Sequence, residues 1–153
     1  MYVDKQTEFS DAQAVTATAI STNVVDLYAG TAANAINNVL RDIGTGQDVY
    51  LVVSMLAAAT AAGAATVTIT LESDSVVGLG TSPTVHFTTV AFSIAQMAAG
   101  ATLVAVKLPA GSYERYLGLR YTVATGPLTG GTFDAFLTTD AQAWRAYQRN
   151  YLA

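Results

Sequence analysis

The sequence predicts an all-β protein, a two-sheet sandwich or a barrel. Three observations predict it. About eight strand-like runs, separated by turn signals, fill the 153 residues. Threonine alternates with apolar residues in several of those runs, which is the period of a strand. The composition holds 28 Ala and 21 Thr against three Pro, with only 12% charged residues, about half of the ~25% of an ordinary soluble domain. That balance reads as an Ala/Thr-padded β protein.

The first run is Gln13 to Ile20, where Thr16 and Thr18 alternate with Val15, Ala17 and Ala19. Thr22 to Tyr28 follows, with Val24, Val25 and Leu27. Asp48 to Ala57 is the most apolar run and reads as a buried central strand. Ala64 to Ser73 is expected to pair with it across the small-residue turn at Ala62-Gly63. Thr84 to Phe92, Ala101 to Leu108, Arg115 to Thr125 and Thr132 to Thr138 complete the set. In Arg115 to Thr125, Leu117, Leu119, Tyr121 and Val123 share one face, and Tyr116, Gly118, Arg120 and Thr122 the other. Phe133, Ala135 and Leu137 share a face in the last run. Turn signals lie at Gly78-Leu-Gly80 with Pro83, at Pro109-Ala-Gly111, where glycine suits a positive φ, and at Gly126-Pro127 and Gly130-Gly131. Gly30 to Gly46 is the least strand-like stretch. Ile36, Val39, Leu40 and Ile43 fall there at helical spacing, so one short helix or a compact loop is expected.

Residues 1–153 read as one domain of ordinary size, with no fixed-period repeat and no linker. Its ends differ from its body. Residues 1–11 hold Asp4, Lys5, Glu8 and Asp11 with Tyr2 and Phe9, and read as an extended arm. Residues 140–153 (DAQAWRAYQRNYLA) carry the only Trp, two of the eight Tyr and two of the seven basic residues.

Composition excludes several function classes. With no Cys there is no disulfide, thiolate metal site, iron–sulfur cluster or Cys nucleophile. One His, His86, rules out His-pair zinc motifs. A net charge of −4 and a pI near 4.6 argue against nucleic acid as a partner, because counterion release needs clustered Lys and Arg. Met1 to Ser10 shows no basic segment leading into an apolar run, so no secretory signal is read. The mean hydropathy of +0.37 raises the membrane question, and Val49 to Leu71 is uncharged and long enough to span. Its middle is Ala/Thr/Gly, its flanks are Asp48 and Glu72, and its second half alternates as a strand, so no membrane partner is expected.

The reactive candidates are few. A Ser/His/Asp triad would have to use His86, which sits mid-strand with no GxSxG elbow in the chain, so a strand residue with a satisfied ring is expected. Glu72 and Asp74 lie two apart at a strand end and point to one face, an arrangement that mimics a carboxylate pair or a calcium site. With no other acid within ten residues, a solvated strand end is expected instead. Gly44-Thr-Gly46 and Gly78-Leu-Gly80 lack the Lys-Ser/Thr and the strand–helix context of a phosphate loop. No enzyme, cofactor or metal is expected.

Taken together, the fragments of the chain resemble the phage capsid cement (decoration) proteins typified by that of a Bordetella phage. The resemblance runs through Asp4-Lys5-Gln6, Phe9-Ser-Asp11-Ala-Gln13, Val15-Thr16, Ser21-Thr22-Asn23 and Arg41-Asp42-Ile43-Gly44. It continues through Tyr50-Leu51-Val52-Val53, Ala61-Ala-Gly63-Ala-Ala65, Thr66 to Leu71, Thr81-Ser-Pro83-Thr84 and Leu108-Pro109. It ends with Arg115-Tyr116-Leu117, Tyr121 to Pro127 and Ala141-Gln142-Ala143-Trp144-Arg145. Order and spacing carry it, since no fragment is a chemical motif. Gly30 to Leu40 has no match.

The resemblance implies a jelly-roll-like β-sandwich on the outside of an icosahedral head. It would work as a homodimer, clamping copies of the major capsid protein, and so be located on the virion and, during assembly, in the host cytoplasm. Trp, Tyr and Arg are enriched at binding hot spots, so Trp144, Arg145, Tyr147, Arg149 and Tyr151 are expected to contact another chain, the dimer mate or the capsid protein; the alternative is that the tail packs back on its own sandwich as a final strap. An alternative reading is a carbohydrate-binding or head-fibre module contacting host glycans through a flat platform of Tyr113, Tyr116 or Tyr121. It requires those rings on an open sheet face.

Overall fold

A computed structural model of the chain describes residues 4–27, 42–43 and 46–141. The described elements are β1 (Glu8–Ala14), β2 (Ala19–Ile20), β3 (Val25–Asp26), β4 (Asp42–Ile43), β5 (Tyr50–Ala61) and β6 (Thr66–Asp74). They continue with β7 (Thr84–Thr88), β8 (Phe92–Ser93), β9 (Thr102–Lys107), β10 (Gly111–Ser112), β11 (Tyr116–Ala124) and β12 (Leu128–Thr138). The helical elements among the described residues are two single 3₁₀ turns, Lys5–Thr7 and Ile94–Gln96.

One sheet has the order β1-β12-β5-β9 and the other β2-β11-β6-β7, all pairs antiparallel. β3 extends the β2 edge of β11, and β8 extends the β7 edge of β6. Counting each of those two broken edges as one strand leaves eight positions, with β4 and β10 as a separate two-residue ladder. In chain order the first sheet then carries strands one, eight, three and six, and the second carries two, seven, four and five. That is a long antiparallel hairpin rolled into two sheets, the jelly roll.

This topology corrects the expected β5–β6 hairpin. In a jelly roll only the fourth and fifth strands, here β6 and β7, are neighbours in both sequence and sheet. The turn after β5 therefore crosses between the sheets, and β5 and β6 pack face to face. Their inner residues meet in one core: Leu51, Val53 and Met55 from β5 against Val67, Ile69 and Leu71 from β6, each at most 2% exposed. Leu117, Leu119 and Tyr121 of β11 and Phe133 and Ala135 of β12 complete it. Each such side chain contributes about 2 kcal/mol by leaving water. Tyr121 is tilted on Phe133 with centroids 4.9 Å apart. Its hydroxyl lies 2.8 Å from Ser10 Oγ, which itself donates to Gln13 Oε1 at 2.7 Å. Burial pushes the Tyr121 hydroxyl well above the usual phenol range.

Other expectations shift. The first strand begins at Glu8, so the second half of the expected arm lies in the sheet, with Phe9 and Ser10 buried. Alternation fails there because β1 is bulged: its register against β12 slips between Glu8 and Ser10 and again before Gln13. Ala12 takes φ 47°, and its N–H donates to Asp134 Oδ1 at 2.6 Å. The run expected from Gln13 to Ile20 is broken after Ala14, and that from Thr22 to Tyr28 is reduced to Val25–Asp26. Gly111 lies in β10 without a positive φ. Among the described residues the glycines with positive φ are Gly100, Gly126 and Gly131. Of the stretch Gly30 to Gly46, the described part of which includes Asp42–Ile43, those two residues form a strand, and the expected helix lies outside the described residues.

Candidate functional site

The outer face of the second sheet holds the polar residues singled out from the sequence. Glu72 on β6 and Asp74 at its end are 4% and 1% exposed, so neither is a solvated strand end. The cause is residues 75–83, which fold back over this face. Leu79 from that loop is fully buried, and an added Cβ at Gly118 would lie 2.8 Å from its Cδ1. Only glycine lets the loop lie this close to β11.

The loop is held by charge. Arg120 Nε donates to Glu72 Oε2 at 2.9 Å and Oε1 at 3.1 Å, and Arg120 Nη2 donates to the Leu79 carbonyl at 2.6 Å. Thr70 Oγ1 donates to Glu72 Oε1 at 2.6 Å. Asp74 accepts from the N–H groups of Thr81, Val76 and Ser82 and from Ser75 Oγ. Burial alone would raise the Asp74 carboxyl, but these donors outweigh it and hold it below the usual carboxylate value. Both carboxylates are used up inside the fold. No group of three or more acidic or His side chains able to hold a metal occurs among the described residues. Sequence reasoning missed Arg120 as the partner. The available signal was a lone Arg on the polar face of one strand and a lone Glu on the polar face of another.

Ser73, on the opposite face of β6, meets His86 of β7. Ser73 Oγ lies 2.7 Å from His86 Nε2 and accepts from the Glu114 N–H at 3.0 Å. The imidazole stacks on Tyr113 with centroids 4.0 Å apart. Burial lowers the His86 pKa, against a smaller upward pull from Glu114, which favours the neutral ring. A Ser beside a His is half of a hydrolytic pair, but Ser73 has no exposed surface. No acyl group reaches its oxygen, and the pair serves as the satisfied strand histidine expected from sequence.

The aromatic platform required for glycan binding is not presented. Tyr121 is fully buried and Tyr113 is 2% exposed, with its hydroxyl donating to the Pro109 carbonyl at 2.6 Å. Tyr116 is covered by Arg115, whose guanidinium carbon lies 4.8 Å from the ring centre. Arg115 is held there by Asp26 through two hydrogen bonds of 3.0 and 2.9 Å.

Where the chain leaves β12, a groove of about 440 Å³ is lined by Val25, Leu27, Val49 and Leu137, with Asp4, Thr7, Thr138 and Thr139 around it. A smaller cleft of about 250 Å³ is formed by Tyr50, Thr139, Asp140 and Ala141. Trp144, Arg145, Tyr147, Arg149 and Tyr151 lie outside the described residues.

No curated protein matches the chain. The Bbp16 family model matches residues 9–137, from the first strand to the end of the last. The jelly roll and its loop latch thus lie almost wholly within the matched region, and the chain belongs to the Bbp16 family, a family of Bordetella phage proteins.

Proposed function

We propose that this protein is a structural component of a phage head, a cement protein that binds the outer capsid surface and stabilises contacts between major capsid protein subunits. Membership of a phage family carries the reading. The architecture supports it. Glu72, Asp74, Ser73 and His86 are engaged in the fold's own loop and strand contacts, which is in keeping with a binding role through the surface. The protein acts as a homodimer, without cofactor or metal. A dimer gripping two shell subunits gains effective concentration at the second grip, so two weak contacts hold together.

The tail supplies the grip on another chain through Trp144, Arg145, Tyr147, Arg149 and Tyr151. Arg offers a planar fork for carboxylates and stacks on rings. Loss of a buried Trp anchor costs about 2 kcal/mol or more, roughly thirtyfold in affinity. The test deletes residues 140–153 and measures both the melting temperature and the occupancy of purified heads. The expected result is an unchanged melting temperature with occupancy lost. A collapse in melting temperature with occupancy retained makes the tail a strap of its own domain and removes it from the interface. Full-length protein that fails to bind heads overturns the cement reading itself.

A further inference from the structure

Charge divides this sandwich along its length. Between Val49 and Val106 the charged residues are Glu72 and Asp74 alone, and both are buried. That span builds β5 to β9, one lateral half of both sheets. Its outer rims are the terminal strands β7 and β9. At the end of this half, Asp48 and Lys107 neutralise each other at 2.6 Å. One further carboxylate reaches this half: Glu114, on the segment before β11, accepts from Thr84 Oγ1 of β7 at 3.0 Å. The other charges among the described residues lie on β1, β3, β4, β11 and β12 and the segments next to them.

The exposed apolar side chains fall in the same half. Leu56, Val76, Val77, Val85 and Val90 are the large hydrophobics exposed among the described residues, and Val90 is 74% exposed. Val85 lies on β7 and Val90 just beyond it, beside the edge of β7 that pairs with no other strand among the described residues. Leu56 lies on β5 next to the 97–101 loop, whose Gly100 N–H donates to the Met55 carbonyl at 2.8 Å. Edge strands are normally guarded by charge, proline or a bulge that turns the edge away. Here the 32 residues from Ser75 to Val106 offer no Asp, Glu, Lys or Arg at all. Pro83 precedes β7 rather than interrupting it.

We propose that this uncharged half, centred on the β7 edge with Val85 and Val90, is the face on which a second copy of the chain packs. Electrostatics selects the occupant. Each copy carries a net charge of −4, so two copies repel wherever their charged halves meet. The β5–β9 half is the one they can bring together while stripping water from the fewest charges, with Glu114 beside Thr84 as the one carboxylate at its β7 rim. A twofold axis closes such a contact on itself, matching each apolar edge with its own image. The inference rests on the homodimer reading and assigns its face, leaving the charged half and the tail for the shell.

The experiment measures solution mass by sedimentation equilibrium for the full chain, for Val85→Glu with Val90→Glu, and for Thr122→Glu, an exposed position on the charged half. Far-UV circular dichroism checks that each keeps its strand signal. The expected result is a mass twice 15.9 kDa for the wild type and for Thr122→Glu. The Val85/Val90 variant is expected to sediment as a folded monomer, with self-association weakened at least a hundredfold. A Val85/Val90 variant that stays dimeric overturns this face while leaving the dimer intact. If it stays dimeric but loses capsid occupancy, the half belongs to the shell contact instead. A wild type that is monomeric at 100 μM overturns the dimer reading and this inference with it.

Discussion

The half built from β1, β2, β3, β11 and β12 wears its charges outside, as the Arg115–Asp26 pair and the Lys5–Glu8 bridge show. The half built from β5 to β9 has two carboxylates within its span and buries both under the 75–83 loop. Arg120 reaches across from β11 to meet Glu72, so the latch joins the two halves. Isolated surface ion pairs contribute about 0–1 kcal/mol. A buried carboxylate is different in kind: it is stabilising only while its partners are in place, and strongly destabilising without them. The difference teaches that charge in the β5–β9 span serves internal geometry, holding the loop against β11, while the surface of that span is left to neutral polar and apolar side chains.

The largest effect comes from breaking the latch. Arg120→Ala leaves Glu72 at 4% exposure with Thr70 Oγ1 as its remaining side-chain donor. It also frees the Leu79 carbonyl. The expected loss is about 3 kcal/mol in a urea unfolding curve, at the low end for a buried pair because Arg120 itself keeps some solvent contact. Arg120→Met with Glu72→Met removes both charges and is expected to lose less than the single change. If the double variant is the worse of the two, the pair contributes net stability, and the contrast between an internal latch and ordinary surface pairs fails.

A smaller effect tests how tightly the loop is seated. Gly118→Ala places a methyl 2.8 Å from Leu79 Cδ1 and 3.3 Å from Ser21 Oγ. Leu79 is fully buried, so it yields only by lifting the loop. The expected cost is about 1.5 kcal/mol, with faster proteolysis between residues 75 and 83. A variant as stable and as protease-resistant as the wild type shows the loop to be loosely held, and the latch to be less than a clamp.

Much of this was legible in the sequence, for a physical reason. Where a strand is half-buried, its period of two writes itself into the residues, as in Val67, Ile69 and Leu71 or Leu117, Leu119 and Tyr121. Those faces were read correctly, as were the strand class and the satisfied His86. Pairing was not legible, because alternation marks which face is buried and not which strand lies alongside. β5 and β6, joined by a short small-residue turn, look like a hairpin in any one-dimensional reading. β1 was hidden because its bulge at Ala12 breaks alternation and its charges suggest an arm. The burial of Glu72 and Asp74 depended on a loop folding back, and on an arginine 48 positions away. The charge-free span is plain in the sequence, but it becomes a face only when the topology gathers β5 to β9 on one side.

The smallest effect concerns the one histidine, in the uncharged half. His86 meets Ser73 from β6, and Tyr113 and Glu114 from the segment before β11. Ser73 Oγ already accepts the Glu114 N–H, and a protonated ring, which can only donate, would make that oxygen the acceptor of a second N–H. Burial holds the His86 pKa below its ordinary value of 6.5, with Glu114 pulling weakly the other way. The unfolded chain therefore binds a proton before the folded one does. Stability is full above the ordinary imidazole value and falls as the pH drops through 6.5 towards the lowered folded value. Asp74 does not confuse this window: its carboxyl is held below the usual value, so its contribution is lost only in more acid solution. The measurement compares melting temperature from pH 8 to pH 5 for the wild type and for His86→Gln, whose amide oxygen can accept from Ser73 and cannot titrate. The wild type is expected to lose melting temperature between pH 7 and pH 5 while the Gln variant stays level. Parallel curves mean that His86 folds equally well charged, and that its packing against Ser73 and Tyr113 does not depend on a neutral ring.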